Sequence, residues 1–244
     1  MSSVVPESIE YHIANIPTSL LMTWLVWLAI GVASLAVLKT ARRVPHALQS
    51  VFEMCFESIT GMIDDAIGHD AVRYYPLFIG IFLYIFVGNL IGLFPGLISP
   101  TSDLNVTVGL SLVVFVYYNF MGFRRQGLGY LKHFFGPSLP WYMFPIRGLM
   151  FIIEMIGNFA RPFSLALRLF CNIFAKEILL GILAFLMLEF FFGKELIVKG
   201  LSLGPLFLRP FILLLGLMVG FIQALIFMVL SVSYVASAVK LEEH

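Results

Sequence analysis

Arg161-Pro162-Phe163-Ser164-Leu165-Ala166-Leu167-Arg168-Leu169-Phe170-Cys171-Asn172-Ile173-Phe174-Ala175-Lys176-Glu177 carries an arginine in the middle of an apolar helix. A guanidinium stays charged at any ordinary pH, and a charge at bilayer depth is expensive, so Arg168 must face protein, water or a partner's countercharge. The apolar region around it, 146–192, and a second one at 201–240 each exceed the roughly 20 residues that cross a hydrocarbon core. Such excess length predicts long tilted helices, kinked helices, or helices running along a partner's face. Both regions hold polar residues at membrane depth, and both are expected to line a functional surface.

The whole chain has the same character. Its 244 residues are 60% hydrophobic and 12% charged, with a mean hydropathy of +0.98, whereas a soluble domain is about a quarter charged. This is an integral membrane protein. A net charge of +1 offers no basic field for nucleic acid, which is not expected as a partner. Cys55 and Cys171 fall in separate apolar segments with no cysteine or histidine at metal-ligand spacing; both read as buried packing residues, and neither a metal nor a cofactor is expected. Residues 1–17 carry Glu7, Glu10 and His12 but no basic stretch ahead of an apolar core. The first helix is therefore expected to stay in the mature protein.

The spans predict an all-α polytopic protein, a single membrane domain over 1–244, with about five crossings and an amphipathic surface helix. The first span is 18–39. Residues 45–70 form the surface helix, in which Val51, Met54, Cys55, Ile59, Met62 and Ile63 recur at helical spacing while Glu53, Glu57, Asp64 and Asp65 punctuate it. Spans at 76–95 and 105–123 come next, separated by a break at Pro95, Gly96 and Pro100. Residues 130–145, rich in aromatics and prolines, read as an interfacial connection. With five crossings, Lys39, Arg42, Arg43, Arg124, Arg125, Lys132 and Lys240 fall on one side. The opposite loops hold Asp103 and the mixed set Glu189, Lys194, Glu195, Lys199 and Arg209. The positive-inside rule then puts the N-terminus outside and the C-terminus in the cytoplasm. No internal repeat of the kind found in secondary transporters is visible.

Ser164, Arg168 and Asn172 are spaced i, i+4, i+8, and Glu154, Arg161 and Arg168 by sevens, so most share one broad helix face. Glu177 and Lys176 are two further ionisable residues too costly at such depth to be filler. Gln223 is the only strongly polar side chain between Arg209 and Ser231. Two readings of Arg168 stand at this point: a structural arginine paired with Glu154 or Glu177, or a group that handles charge. Gln223 likewise either cross-links helices by its amide or serves a path.

The run Ser164-Leu165-Ala166-Leu167-Arg168-Leu169-Phe170-Cys171-Asn172, followed by Glu177 and by Ile222-Gln223-Ala224-Leu225-Ile226-Phe227-Met228-Val229-Leu230, resembles subunit a of the rotary F-type ATP synthase. The similarity extends to Gly88-Asn89-Leu90-Ile91-Gly92-Leu93-Phe94-Pro95, to Thr101–Thr107, and to the ending Leu241-Glu242-Glu243-His244, which resembles bacterial members. The resemblance implies a stator subunit of a bacterial inner membrane, forming two offset half-channels for protons against a ring of c subunits. Peripheral-stalk b subunits and membrane lipid are its other implied partners. Arg168 is implied as the essential arginine facing the ring carboxylate. Asn89, Asn172, Glu177 and Gln223 are implied to line the ion path or support Arg168, with Asp103 and Asn105 near the outer entrance and Glu154 and Ser164 toward the cytoplasmic exit. Bonding a neighbouring helix is the alternative for Asn89, and capping the third span the alternative for Asp103 or Asn105.

The chain departs from the family pattern in places. Cys171 stands where glycine is usual, and Lys176 often has a glycine counterpart, while Gly216 occupies a position that can hold an ionisable side chain. Lys176 is expected to reach the space above Gly216 and to tune proton uptake, because a buried lysine responds strongly to its surroundings. With no Walker-type phosphate loop, this chain is not expected to make ATP itself. Two other functions remain open on the sequence alone: a stand-alone secondary transporter with Arg168 binding an anionic substrate, or a structural membrane anchor for a larger complex.

Overall fold

The computed structural model describes residues 18–40, 47–68, 71–94, 97–127, 129, 144–191 and 203–240. Among them run six helices: α1 (Thr18–Thr40), α2 (Ala47–Ile67), α3 (Tyr75–Ile91), α4 (Leu104–Gln126), α5 (Phe144–Phe191) and α6 (Leu203–Lys240). Short 3₁₀ turns cover Ala71–Arg73 and Pro100–Ser102. Residues 1–17, nearly all of the expected interfacial connection, and Arg42, Arg43, Lys132, Lys194, Glu195 and Lys199 lie outside the described residues, as does the side chain of Lys240.

The chain is a polytopic all-α membrane protein. α1, α4, α5 and α6 are each long and apolar enough to cross a membrane, and α3 is a shorter apolar helix. α5 has 48 residues and α6 has 38, so at 1.5 Å per residue they extend about 72 and 57 Å, roughly twice a hydrocarbon core. Each contains a proline, Pro162 in α5 and Pro210 in α6. Large apolar side chains such as Trp24, Leu28, Phe185 and Phe207 point outward from the chain. In water that display would be a liability; in a bilayer it is ordinary solvent contact.

The helices distribute into two compact units. The first comprises residues 1–41, 83–106 and 171–224. Here α1 packs against the turn Pro100–Ser102, the Thr23 and Tyr84 hydroxyls meet at 3.2 Å, and Trp27 lies 5.7 Å from the Tyr84 ring. Phe86 and Phe221 meet edge to face at 5.7 Å. The two hydroxyls are thus tied to each other, which lowers the cost of partly burying them.

The second unit comprises residues 42–82, 107–170 and 225–244. Its core contains Tyr74, Phe78, Val114, Tyr118, Leu165, Leu169, Phe227, Met228 and Val235. In α2 the buried stripe is Ile59, Ile63 and Ile67, at i, i+4, i+8. Of the other apolar residues that recur at helical spacing, Met54 and Met62 are exposed, and Cys55 is exposed with them. Three β-branched side chains in one line fill the contact, and the sulfur-bearing residues fall outside its arc. Gly68 ends α2 at φ 89°, where its N–H donates to the Asp64 carbonyl at 2.8 Å; this left-handed closing position is one that glycine tolerates without strain.

Cys171 also corrects the reading of the two cysteines as buried packing residues, because it too is exposed. It lies three residues after Arg168 and next to Asn172, and both of those are exposed as well.

Candidate functional site

A polar cluster occupies the first unit. It starts in the segment after α3, where Ser99 is held from several sides. Its backbone N–H donates to Glu177 Oε1 at 3.0 Å, so a loop residue steadies a carboxylate of α5. Its hydroxyl lies 3.0 Å from the Gly88 carbonyl and 2.7 Å from the Thr101 hydroxyl. Thr101 in turn donates to Asn89 Oδ1 at 2.8 Å, and Asn89 Nδ2 donates to the Gly220 carbonyl at 3.2 Å. Ser99, Thr101 and Asn89 are all buried. Two hydroxyl hydrogens serve three oxygen–oxygen contacts, so the Ser99–Thr101 pair has more than one hydrogen arrangement at no change in position.

The loop approaches α3 this closely because Gly92 has no side chain. A Cβ on Gly92 would stand 2.7 Å from Ser99 Cβ and 3.1 Å from its backbone nitrogen, inside any tolerable contact. Gly92→Ala is expected to displace Ser99 from Glu177 at a cost of about 1–3 kcal/mol and to lower the amount of the chain in membranes on quantitative immunoblots. Gly31→Ala, where an added Cβ meets nothing within 4 Å, is expected to match wild type.

Two more glycines, Gly216 and Gly220, stand one turn apart on α6 and leave a shallow groove. Asn89 lies over the second: a Cβ on Gly220 would be 3.1 Å from Asn89 Cβ. The Lys176 stem lies over the first, since a Cβ on Gly216 would be 2.9 Å from Lys176 Cδ and 3.3 Å from Leu93 Cδ2. Lys176 thus occupies the space above Gly216. Its Nζ is buried and has no hydrogen-bond partner among the described residues. Glu177 is its neighbour of opposite sign, which offsets part of the cost of placing an ammonium there.

One turn before Lys176, Asn172 Nδ2 donates to Gln223 Oε1 at 2.8 Å. The Gln223 amide nitrogen is buried and lacks a partner among the described residues. Asp103 Oδ1 accepts from the Asn105 backbone N–H at 2.9 Å, which makes Asp103 the cap of α4 and leaves the Asn105 side chain exposed.

In the second unit Glu154 lies 3.8 Å from Arg161, whose guanidinium sits 5.5 Å over the Tyr234 ring. Ser164 and Arg168 are both exposed. Within this unit Arg168 makes no ion pair among the described residues, so Glu154 is engaged elsewhere and does not serve as its counter-ion. An arginine this isolated is not pinning helices inside its own unit. It presents a permanent charge outward from a helix long and apolar enough to cross a membrane.

The structure therefore joins Asn172 to Gln223, Asp103 to Asn105 and Lys176 to Gly216. It adds Ser99, Thr101 and Gly220, which the sequence alone did not single out as site residues. The hydroxyls on either side of Pro100 were the signal available for the first two; Gly220 acts through its backbone carbonyl and leaves no side-chain signal at all.

A family model described as ATP synthase A chain matches residues 20–236. The chain is 40% identical over 223 residues to ATP synthase subunit a 2 of Syntrophotalea carbinolica, covering 91% of this chain and 85% of that one. It is 39% identical over 219 residues to ATP synthase subunit a of Aquifex aeolicus, covering 89% and 95%. With ATP synthase subunit a of Desulfotalea psychrophila it shares 40% identity over 223 residues, covering 91% and 83%.

Proposed function

This chain belongs to the ATP synthase A chain family, and on that premise we propose that it is the proton-translocating stator of an F-type ATP synthase, non-catalytic itself, coupling proton flow to rotation of a c-subunit ring. The observation that supports this best is Arg168, exposed on α5 and without a counter-ion in its own unit. A charge in that state is stabilised by a carboxylate brought by another chain. When a deprotonated ring carboxylate arrives, Coulomb attraction holds it; when a protonated one arrives, the same charge favours release of its proton nearby. Because a guanidinium does not deprotonate, Arg168 also blocks protons from hopping directly between the two half-channels.

On this reading protons approach from the outer side past Asp103 and Asn105 and move among Asn89, Glu177, Asn172 and Gln223 to the ring. They leave toward the cytoplasm past Ser164 and Glu154. The chain lies in the bacterial inner membrane with its N-terminus outside and its C-terminus in the cytoplasm, beside peripheral-stalk b subunits and lipid. Each charge that crosses 100 mV contributes about 2.3 kcal/mol, so several crossings are needed for each ATP.

The deciding experiment compares ATP-driven proton pumping in inverted vesicles carrying the whole complex, wild type against Arg168→Ala. Loss of pumping with the complex assembled supports the stator; normal pumping returns the chain to the transporter or anchor alternatives.

Lys176 is the residue that tunes uptake in this reading. It fills the groove over Gly216 next to Glu177, so its charge acts on every proton that reaches the carboxylate. Lys176→Gly is expected to shift the pH profile of ATP synthesis, measured across a range of outer pH at fixed driving force, without loss of assembly. An unchanged profile sinks the role.

A further inference from the structure

In the second unit, a buried tyrosine stands where a helix has lost a hydrogen bond. Within α5 the carbonyl of residue 158 should accept from the N–H of residue 162, and residue 162 is a proline that has none. On a buried residue such as Asn158 a freed carbonyl needs another donor, because burial shuts out the water that would supply one. Tyr118 of α4 supplies it. Its hydroxyl donates to both acceptors of Asn158, the backbone carbonyl at 3.2 Å and the side-chain Oδ1. Asn158 is itself held, since its Nδ2 donates to Asn119 Oδ1 at 3.4 Å and Asn119 Nδ2 donates to the Phe115 carbonyl at 2.8 Å. The tyrosine ring is fixed by Phe115 at 5.5 Å and Tyr234 at 5.9 Å. Tyr118 and Asn158 are both buried.

The substitute bond sits just upstream of the exposed arginine. Pro162 lies six residues before Arg168, a rise of about 9 Å. A proline bends a helix by an amount that its surroundings set. A change of roughly 10° at that point moves the backbone of Arg168 by about 1.5 Å, a misplacement large enough to matter where two charges must meet.

We propose that Tyr118 is a positioning residue for Arg168: by replacing the donor that Pro162 lacks, and by gripping Asn158, it fixes the bend of α5 and so the direction in which the arginine is presented. The proposal rests on the role of Arg168 given above. It assigns work to Tyr118, Asn158 and Pro162, none of which the proposed ion path uses.

A double-mutant cycle in the whole complex tests it. Protons pumped per ATP hydrolysed are measured in inverted vesicles for wild type, Tyr118→Phe, Pro162→Ala and the double variant. The ratio is chosen because a loss of assembled complex lowers pumping and hydrolysis together and leaves it unmoved. Phenylalanine keeps the ring contacts and removes only the donor. Tyr118→Phe is expected to lower the ratio at least about threefold, and Pro162→Ala, which restores the missing N–H, to make the tyrosine substitution neutral. Should Tyr118→Phe fail to assemble, rescue of assembly by Pro162→Ala supports the same link. A wild-type ratio for Tyr118→Phe, or an equal loss with and without the proline, overturns the proposal. Arg168→Ala in the same membranes keeps the two levels apart: if that variant still pumps, the underlying reading of the arginine has failed rather than the role of Tyr118.

Discussion

Replacing Arg168 with alanine is expected to lower ATP-driven proton pumping at least about a hundredfold, the counterpart of about 2.8 kcal/mol, while the complex accumulates to wild-type levels. The second half of that expectation comes from exposure. Arg168 is outward-facing, so its truncation opens no core cavity and strands no buried partner within its unit. The first half comes from electrostatics. Two unit charges 4 Å apart at an effective dielectric constant near 20 interact by about 4 kcal/mol, more than the loss expected. Lysine at the same position keeps the charge but presents a compact ammonium that can give up its proton and cannot offer a planar fork. Arg168→Lys is therefore expected to recover no more than about a tenth of wild-type pumping. Membranes stripped of the ATP-hydrolysing sector give an independent readout: if Arg168 is the proposed barrier between two half-channels, passive proton conductance is expected to rise in Arg168→Ala. If pumping persists in the alanine variant, substrate uptake by the chain alone and loss of assembly separate the transporter from the anchor.

How legible a residue is in the sequence depends on the physics it uses. A permanent charge inside an apolar helix is costly in any fold, so Arg168 could be singled out without knowing its neighbours. The same holds for Lys176 and Glu177. Pairings between distant segments were less accessible. Asn172 and Gln223 are 51 positions apart, and only the axial register of α5 against α6 decides that their amides meet. Ser99 reaches Glu177 through its backbone N–H and Gly220 reaches Asn89 through its carbonyl, and no side-chain pattern reports a main-chain contact. Which apolar residues of α2 are buried is not legible in the sequence, because Met54, Cys55 and the isoleucines are all apolar and periodicity alone does not say which of them meet a neighbour. Both cysteines were misjudged for a related reason: in a bilayer the outward surface is as apolar as the core, so an apolar flank no longer implies burial.

Glu177 carries the second large effect, and two substitutions divide its possible roles. The carboxylate accepts the Ser99 N–H at 3.0 Å and adjoins the buried Lys176. Glutamine has the same length and can still accept that N–H through its own Oε1, so Glu177→Gln preserves the loop while abolishing proton exchange at this position. Aspartate is shorter by one methylene; it retreats from Ser99 but still takes up and releases protons. If Glu177 exchanges protons, Glu177→Gln is expected to lose roughly a hundredfold in proton-driven ATP synthesis, within the usual range for removing a proton-transfer group, and Glu177→Asp is expected to retain much more. If the carboxylate only holds Ser99, the order reverses, because the glutamine variant keeps the bond and the aspartate variant gives it up. Removing both functions with Glu177→Ala leaves the Ser99 N–H without its acceptor, a cost of about 1–3 kcal/mol, and leaves Lys176 without its neighbouring countercharge. That variant is expected to fall in abundance as well as in activity. Measuring synthesis per assembled complex in the three variants therefore decides whether the carboxylate moves protons or anchors the loop, since proton exchange puts the aspartate variant above the glutamine variant and loop anchoring puts it below.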